Sequence, residues 1–194
     1  MDSRKDKMII EAVNNGEIEL FSLLIERYQD RVYSTTYRML GNREDALDIS
    51  QEVFLKVFKK LSSFNFESTF STWLFKVTAN KCRDQLRHRK TKINKNKVSL
   101  EHSEENGVYF ENDDNPEELY LEKEAEKNIM QLINNLKTDF KEVIVLRDIE
   151  DFSYQEISEM LSIPPGTVKS RISRARKYLK EDIIKLREGD KDGS

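Results

Sequence analysis

Cysteine, proline and glycine are scarce in this sequence. The 194 residues include one Cys, three Pro and six Gly. A single thiol cannot form an internal disulfide, which argues against a disulfide-stabilised secreted protein. So few turn-forming residues argue against an all-β sandwich or barrel. No apolar run approaches the ~18 residues of a transmembrane helix, and the first run, residues 8–10, is too short for a signal peptide. We therefore expect a soluble, cytoplasmic protein.

The residue groupings that support catalysis or metal binding are also missing from the sequence. His88 and His102 lie outside any metal-ligand spacing with Cys82. There is no glycine-rich phosphate loop and no pattern of nucleophile, histidine and acid. Cys82 falls in an apolar stripe, so we predict a buried thiol rather than a nucleophile or a ligand. The sequence predicts a protein that is not an enzyme and that has no cofactor, metal site or small-molecule substrate.

Charge is abundant and strongly segregated along the chain. Charged residues make up 36% of the sequence against a usual ~25%, which favours small helical units over one large core. Residues 81–97 carry eight bases and one acid, a net charge of +7, and residues 167–187 carry eight bases and two acids, a net charge of +6. Between them, residues 101–126 carry eleven acids and one base, a net charge of −10. Two basic segments around an acidic one predict two contacts with a polyanion, and the alternative is solvated helix faces.

Apolar residues recur at helical spacing over most of the chain, which predicts an all-α fold. Two small helical domains are expected, over residues 7–90 and 119–187, joined by a flexible acidic linker over residues 91–118. Gly41 is the expected end of one helix, and Asn42 is the expected N-cap of the next. The stripes of the first domain are Phe21, Leu24, Ile25, Tyr28 and Val32; Ala46, Ile49, Val53, Val57 and Leu61; and Phe75, Ala79, Cys82 and Leu86.

A helix-turn-helix is predicted in the second domain at about residues 154–173. Ser153 and Glu156 have the spacing of a capping box, which starts a short helix. Residues 162–166 end that helix because tandem proline removes backbone donors, and a basic second helix follows. Its free N–H groups and its bases suit docking in a DNA major groove, whereas an αα-hairpin with a solvated basic face is the alternative. The residues predicted to contact DNA are Thr167, Lys169, Ser170, Arg171 and Arg174.

A second candidate DNA contact lies in the first domain. A polar and basic stripe recurs at i, i+4, i+7 and i+11 on one helix face, and a tryptophan precedes it by one turn. Aromatic rings stack on unpaired bases, amides read base edges and arginines hold phosphates, so this face suits locally opened DNA. The alternative is that the indole packs in the core and leaves a solvated basic face. The residues of this face are Trp73, Lys76, Asn80, Arg83 and Arg87.

Three stretches of the sequence resemble the extracytoplasmic-function sigma factors of bacterial RNA polymerase, group 4 of the sigma-70 family. Residues 45–54 (DALDISQEVF) resemble the family's core-polymerase-binding helix. Residues 70–80 with 84–87 resemble its region for −10 element recognition and promoter melting. Residues 166–171 with 174–176 resemble its −35 recognition helix. The three stretches together, in this order, are highly specific for the family.

The resemblance implies a sigma factor that binds core RNA polymerase and directs promoter-specific transcription initiation. The first domain would be sigma region 2 and the second sigma region 4. The resemblance also implies an anti-sigma factor, often a membrane protein in this family, that covers the polymerase- or DNA-binding faces. Docking on the coiled coil of the β′ subunit, with further contact to the β subunit, is implied for Asp48, Gln51, Glu52, Phe54 and Leu55.

A polymerase-independent helix-turn-helix regulator is the alternative function. Such a protein would need to dimerise and would bind duplex promoter DNA tightly by itself. An enzyme or a pure interaction protein, with basic faces that are merely solvated, is the other class that the residues leave open.

Overall fold

The structure, a computed structural model, describes residues 3–95 and 129–189, with side chains described for residues 3–91 and 129–185. All regular elements in these ranges are helical, which confirms the predicted all-α fold. The α-helices of the described ranges are α1 (Ser3–Asn14), α2 (Phe21–Leu40), α3 (Arg43–Lys60), α4 (Phe70–Lys95), α5 (residues 129–135), α6 (Thr138–Ile144), α7 (Tyr154–Leu161) and α8 (Pro165–Gly189). Single turns of 3₁₀ helix lie at Ile18–Leu20 and Leu61–Ser63, and a π-helical turn lies at Val145–Ile149. We call α1–α4 the N-terminal module and α5–α8 the C-terminal module.

The predicted boundary between α2 and α3 is confirmed. Gly41 ends α2 with a φ of +69°, a conformation that favours glycine, and its N–H donates to the Tyr37 carbonyl at 2.8 Å. Asn42 then caps α3, because its side-chain oxygen accepts a hydrogen bond from the Asp45 N–H at 2.9 Å. The short connection makes α2 and α3 a helical hairpin, and the two helices pack against each other and contribute buried residues such as Val32 and Val53 to one core.

The long helix α4 packs against neighbours on several sides. On one side, the Trp73 ring lies 5.1 Å from the Phe64 ring, measured between centroids. On another side, the Phe75 ring lies 5.2 Å from that of Phe152, which belongs to the C-terminal module. The apolar stripe predicted for this helix is therefore covered by both modules.

The helix α4 is also longer than the sequence analysis predicts. Its described part reaches Lys95, so residues 91–95 are helical rather than part of the linker. These residues include neither Gly nor Pro, and an existing helix adds further turns more easily than a new one forms. The rest of the predicted linker, residues 96–118, lies outside the described residues, as do residues 119–128 of the predicted second domain.

The predicted helix-turn-helix is present as α7, a turn and α8. The capping box is confirmed, since Ser153 Oγ accepts from the Glu156 N–H at 3.2 Å and the Glu156 carboxylate accepts from the Ser153 N–H at 2.9 Å. Ser162 ends α7 in a left-handed conformation. Pro165 is the first residue of α8, a position where its missing N–H leaves no helical hydrogen bond unmade.

One apolar core runs through both modules of the described chain. The N-terminal module contributes buried residues of α2, α3 and α4, and the C-terminal module contributes buried residues of α6, the π-helical turn, α7 and α8. Examples are Leu24, Val57 and Phe75 in the N-terminal module and Val143, Leu146 and Ile157 in the C-terminal module. The two modules are thus packed on each other rather than held only by the chain between them.

We expect Asn42→Ala to lower the free energy of unfolding by about 1 kcal/mol, because the substitution removes the acceptor for an N–H at the start of α3. Asn42→Asp keeps a capping oxygen and is the matched control, with an expected loss of no more than about 0.5 kcal/mol. Urea unfolding followed by circular dichroism measures both values. Equal losses for the two variants would contradict the capping role.

Candidate functional site

The first three turns of α8 carry one candidate DNA-binding face. The opposite side of these turns is buried through Val168 and Ile172. Helical periodicity therefore turns the predicted contact residues outward, as their spacing predicts. Lys169, Ser170 and Arg174 are exposed. Thr167 and Arg171 are half-buried.

A cleft of about 550 Å³ lies beside this face of α8. Lys90 of α4 and Lys137, just before α6, belong to its wall and are absent from the residues predicted to bind DNA. Their contribution depends on how the two modules pack, which the local sequence pattern does not carry. Four of the nine lining side chains are cationic and one is acidic, a net positive charge that suits phosphate groups. The predicted residues in this wall are Thr167, Ser170, Arg171 and Arg174.

Arg171 is oriented by an ion pair. Its Nη2 donates to Asp139 Oδ2 at 2.6 Å, and Asp139 lies in the first turn of α6. The pair holds the guanidinium at the edge of the α8 face. A DNA base that is read by Arg171 must therefore compete with Asp139 for the same donors.

The second candidate DNA-binding face, on α4, is only partly open to solvent. Lys76 and Arg87 are exposed, and Asn80 is half-buried. Trp73 is half-buried as well, with the Phe64 ring against it, so part of the indole packs in the core and part stays accessible. This face therefore offers two exposed bases and a partly accessible aromatic surface.

Arg83, the remaining residue predicted for this face, is paired with the C-terminal module. Its side chain is 19% exposed, and its Nε lies 3.1 and 3.2 Å from the two carboxylate oxygens of Glu142. Its Nη2 donates to the Leu161 carbonyl at 3.0 Å. Burial raises the pKa of the Glu142 carboxyl above its usual range, and the Arg83 charge opposes that shift. The Arg83 guanidinium, which is predicted to contact DNA, is thus paired with the carboxylate of Glu142 in the same chain.

An apolar groove of about 880 Å³ lies between α2 and α3. Leu47 and Leu55 in its wall are 52% and 59% exposed, and together with the other apolar residues of the wall they form a continuous exposed apolar patch. On the solvent side of α3, a stripe at i, i+4, i+8 and i+11 consists of Leu47, Gln51, Leu55 and Phe58. This helical spacing can be recognised in the sequence alone. The apolar wall consists mainly of Ile18, Phe21, Ile25, Leu47, Phe54, Leu55 and Phe58.

The residues predicted to bind core polymerase fall into two sets on α3. Gln51, Phe54 and Leu55 line the groove. Asp48 and Glu52 are exposed on the same helix, and Glu52 pairs with Lys81 of α4. The structure thus presents apolar and acidic groups side by side on one helix. The groove residues of α2 are absent from the predicted set because only the tertiary structure brings them beside α3.

The buried thiol predicted for Cys82 is confirmed. Its side chain is almost fully buried, and burial together with the negative charge of Glu142 raises the pKa of the thiol well above its usual range. Among the described residues, no three His, Cys, Asp or Glu side chains are grouped so that they would hold a metal ion. In the same ranges, no helix is both long enough and apolar enough to cross a bilayer.

Comparison with family models finds two matches in this chain. Residues 24–92 match the model of Sigma-70 region 2, and residues 126–179 match that of Sigma-70, region 4. The first match includes α4 and the groove helices α2 and α3 for most of their length. The second includes the helix-turn-helix and the basic face of α8.

Relatives match over nearly the whole chain. The ECF RNA polymerase sigma-E factor of Haemophilus influenzae is 34% identical over 183 residues, which cover 93% of this chain and 96% of that protein. The ECF RNA polymerase sigma factor SigW of Bacillus subtilis is 34% identical over 182 residues, which cover 93% of this chain and 97% of that protein.

Solved structures show the same fold. CnrH in complex with the cytosolic domain of CnrY superposes with a TM-score of 0.66 at 23% identity, over 92% of this chain and 96% of that one. The sigma factor RpoE in complex with the anti-sigma factor NepR, from Bartonella quintana, superposes with a TM-score of 0.67 at 24% identity, over 83% of this chain and 94% of that one.

Proposed function

Because this chain belongs to the extracytoplasmic-function sigma factors of the sigma-70 family, we propose which of its parts perform each step of promoter-specific transcription initiation. The chain is a sigma factor that associates with core RNA polymerase and directs initiation at promoters. The observation that carries this function is the order of the two family matches, region 2 followed by region 4, in one chain. We assign residues 7–90, with the continuation of α4 as far as Lys95, to region 2, residues 119–187 to region 4 and residues 96–118 to the linker.

The −35 element is bound, in this proposal, by the basic face of α8 in the major groove. The exposed side chains of Lys169, Ser170 and Arg174 support this role, as does the cationic wall of the neighbouring cleft. Thr167 and Arg171 complete the contact from half-buried positions. The N–H groups of the first turn of α8 add a favourable site for phosphate.

The −10 element is bound as an opened single strand by the face of α4. Lys76 and Arg87 hold phosphates, and Asn80 reads a base edge. Trp73 offers a partly accessible ring on which an unpaired base can stack. Arg83 joins this face once its guanidinium leaves Glu142.

Core polymerase docks, in this proposal, on the groove between α2 and α3. The exposed Leu55 supplies an apolar anchor, Phe54 extends the apolar wall of the groove, and Gln51 adds a polar contact from the same wall. Asp48 and Glu52 add negative charge on the same helix, which suits a basic partner. The coiled coil of the β′ subunit is the partner surface that we propose, with further contact to the β subunit.

An anti-sigma factor is the second protein partner that we propose for this chain. Two proteins with the same fold were solved as complexes: the sigma factor RpoE with the anti-sigma factor NepR, and CnrH with the cytosolic domain of CnrY. A membrane-bound regulator acting on a cytoplasmic sigma factor fits that pattern. We propose no enzymatic activity and no small-molecule substrate for this chain.

Reconstitution with purified core polymerase tests the function and separates it from that of a polymerase-independent regulator. Transcription from a library of genomic fragments should begin at sites that share two upstream motifs at constant spacing. Core polymerase without this chain should not select those sites. Tight binding of duplex DNA by the chain alone, with no selected start sites, would instead establish the regulator.

We expect Leu55→Ala to weaken binding to core polymerase by about 1–2 kcal/mol without lowering the stability of the free chain, because this side chain is buried only in the complex. Leu23→Ala is the matched control, since Leu23 is also an exposed leucine of the N-terminal module, 41% exposed, and is not part of the groove wall. Fluorescence anisotropy of the labelled chain titrated with core polymerase measures both affinities. Equal affinities for the two variants would place the docking surface elsewhere.

We expect Arg174→Ala to weaken holoenzyme binding at a selected promoter by about 1–3 kcal/mol where the guanidinium reads a base. The loss should disappear on a template whose −35 motif has been scrambled. Lys180→Ala removes the same charge further along α8 and is the matched control. Competition binding with the two templates measures the effect, and equal losses on both templates would show that Arg174 contacts only the backbone.

A further inference from the structure

Helix α1 is fixed on the N-terminal module by a buried carboxylate. The Asp6 side chain is 4% exposed, and its two oxygens accept hydrogen bonds from two neighbouring residues of α2, the guanidinium of Arg27 and, at 2.6 Å, the hydroxyl of Tyr28. Asp6, Ile10 and Val13 recur at i, i+4 and i+7, and all three are buried. A buried carboxylate needs such donors, so these contacts fix how α1 is rotated about its own axis.

The solvent side of α1 is basic at its start. The exposed charged residues in the first two turns are all bases, namely Arg4, Lys5 and Lys7. The Nζ of Lys7 lies 5.5 Å from the ring centroid of Phe66, in the loop before α4. Lys7 also pairs with Glu11 at 3.7 Å, but both side chains are more than half exposed. Such a pair is weak, so the ammonium can still bind another anion.

Phe66, the residue beneath this ammonium, has an unusual backbone conformation. Its φ is +59°, a left-handed value that bulky residues rarely adopt, and the residue is 39% exposed. Conformations of this kind cluster at binding sites. The loop thus keeps an aromatic ring at the surface, where the ring face attracts the positive charge of Lys7.

A run of aromatic rings connects Lys7 with the α4 face proposed for the −10 strand. The Phe66 ring lies 4.9 Å from that of Phe64, which lies 5.1 Å from that of Trp73. Helix α1 also contacts α4 and the 3₁₀ turn at Leu61–Ser63. Successive phosphates of a strand are ~3.4 Å or more apart along its axis, so the run covers only a few nucleotides. A strand that stacks a base on Trp73 and follows the run therefore passes Lys7.

We propose that Lys7 is a further residue of the −10 strand's site: its ammonium binds a phosphate, and Phe66 is a positioning residue that keeps the ammonium beside the strand. The inference rests on the proposed function, since it takes the α4 face as the site for opened DNA. It extends that site to α1, which precedes residues 24–92, the match to region 2. An ammonium acts as a point charge and a phosphate carries no sequence information, so this contact adds affinity without base preference.

Three full-length variants separate a local contact from general attraction between charges. Lys7→Gln removes the ammonium, and Lys7→Arg keeps the charge. Lys5→Gln removes the same charge from an exposed residue of the same helix. Lys5 is two residues from Lys7, about 200° around the helix axis, and is the matched control. Circular dichroism verifies that every variant keeps its helices.

Holoenzyme reconstituted from core polymerase and each variant is titrated with two fluorescent templates. Both come from one promoter that the reconstituted transcription assay has selected. The first template has a duplex −35 element and a single-stranded non-template strand across the −10 element. The second is a duplex that ends upstream of the −10 element. Binding of both templates is measured over a range of salt concentrations.

We expect Lys7→Gln to bind the first template about three- to fivefold more weakly than the unmodified chain, since one exposed contact with a phosphate is lost. Its binding of the second template should not change. The slope of log K against log salt concentration should become shallower by about 0.7, the value for one phosphate of a single strand. Lys7→Arg and Lys5→Gln should keep the slope of the unmodified chain. Equal losses for Lys7→Gln and Lys5→Gln, or an unchanged slope for Lys7→Gln, would overturn the contact.

The role of Phe66 is tested by Phe66→Leu, alone and combined with Lys7→Gln. A ring that only positions the ammonium should matter only while the ammonium is present. Phe66→Leu alone should then weaken binding of the first template, and the double variant should bind as weakly as Lys7→Gln. A further loss in the double variant would show that the ring binds the strand itself, which would overturn the positioning role.

The outcome for the proposed function is separate. Selected transcription starts, together with equal binding of the first template by Lys7→Gln and the unmodified chain, would overturn this contact and leave the sigma function intact. The absence of any selected start would remove the proposed function, and the contact of Lys7 with a promoter strand with it.

Discussion

The packing of the two modules depends on two buried carboxylates, Glu142 and Glu150, and on the arginines that meet them. Moving a carboxylate from water into a protein interior is costly unless a cation and hydrogen-bond donors replace the water. Arg83 and Arg31 provide that replacement from the N-terminal module. Ion pairs are directional, so they determine how the C-terminal module is seated, whereas the Phe75–Phe152 contact adds apolar burial that favours closeness without choosing an orientation.

The same packing connects the fold with the proposed function, because α4 contributes side chains both to the core and to the proposed DNA-binding face. A basic face that remains open attracts polyanions of any sequence through long-range electrostatics. Glu142 of the C-terminal module neutralises part of that attraction at Arg83.

The groove between α2 and α3 is arranged differently, because no described residue of the C-terminal module belongs to its wall. Its wall residues belong to the N-terminal module, from Ile18 to Phe58, so docking of the C-terminal module leaves it open. Exposed apolar surface of this kind commonly marks a protein–protein contact. The groove is therefore accessible while the two modules are packed together.

The sequence by itself determined the helices, their caps and the family. Gly41 with Asn42, and Ser153 with Glu156, act within a few residues, so composition and spacing reveal them. The outward face of α8 follows from the period of the helix in the same way. Only the tertiary structure decided the partners of Arg83 and Arg31, which lie 59 and 119 residues away along the chain. Such pairs depend on how whole helices pack, and helical periodicity shows which side of a helix is apolar but not which distant carboxylate will meet it.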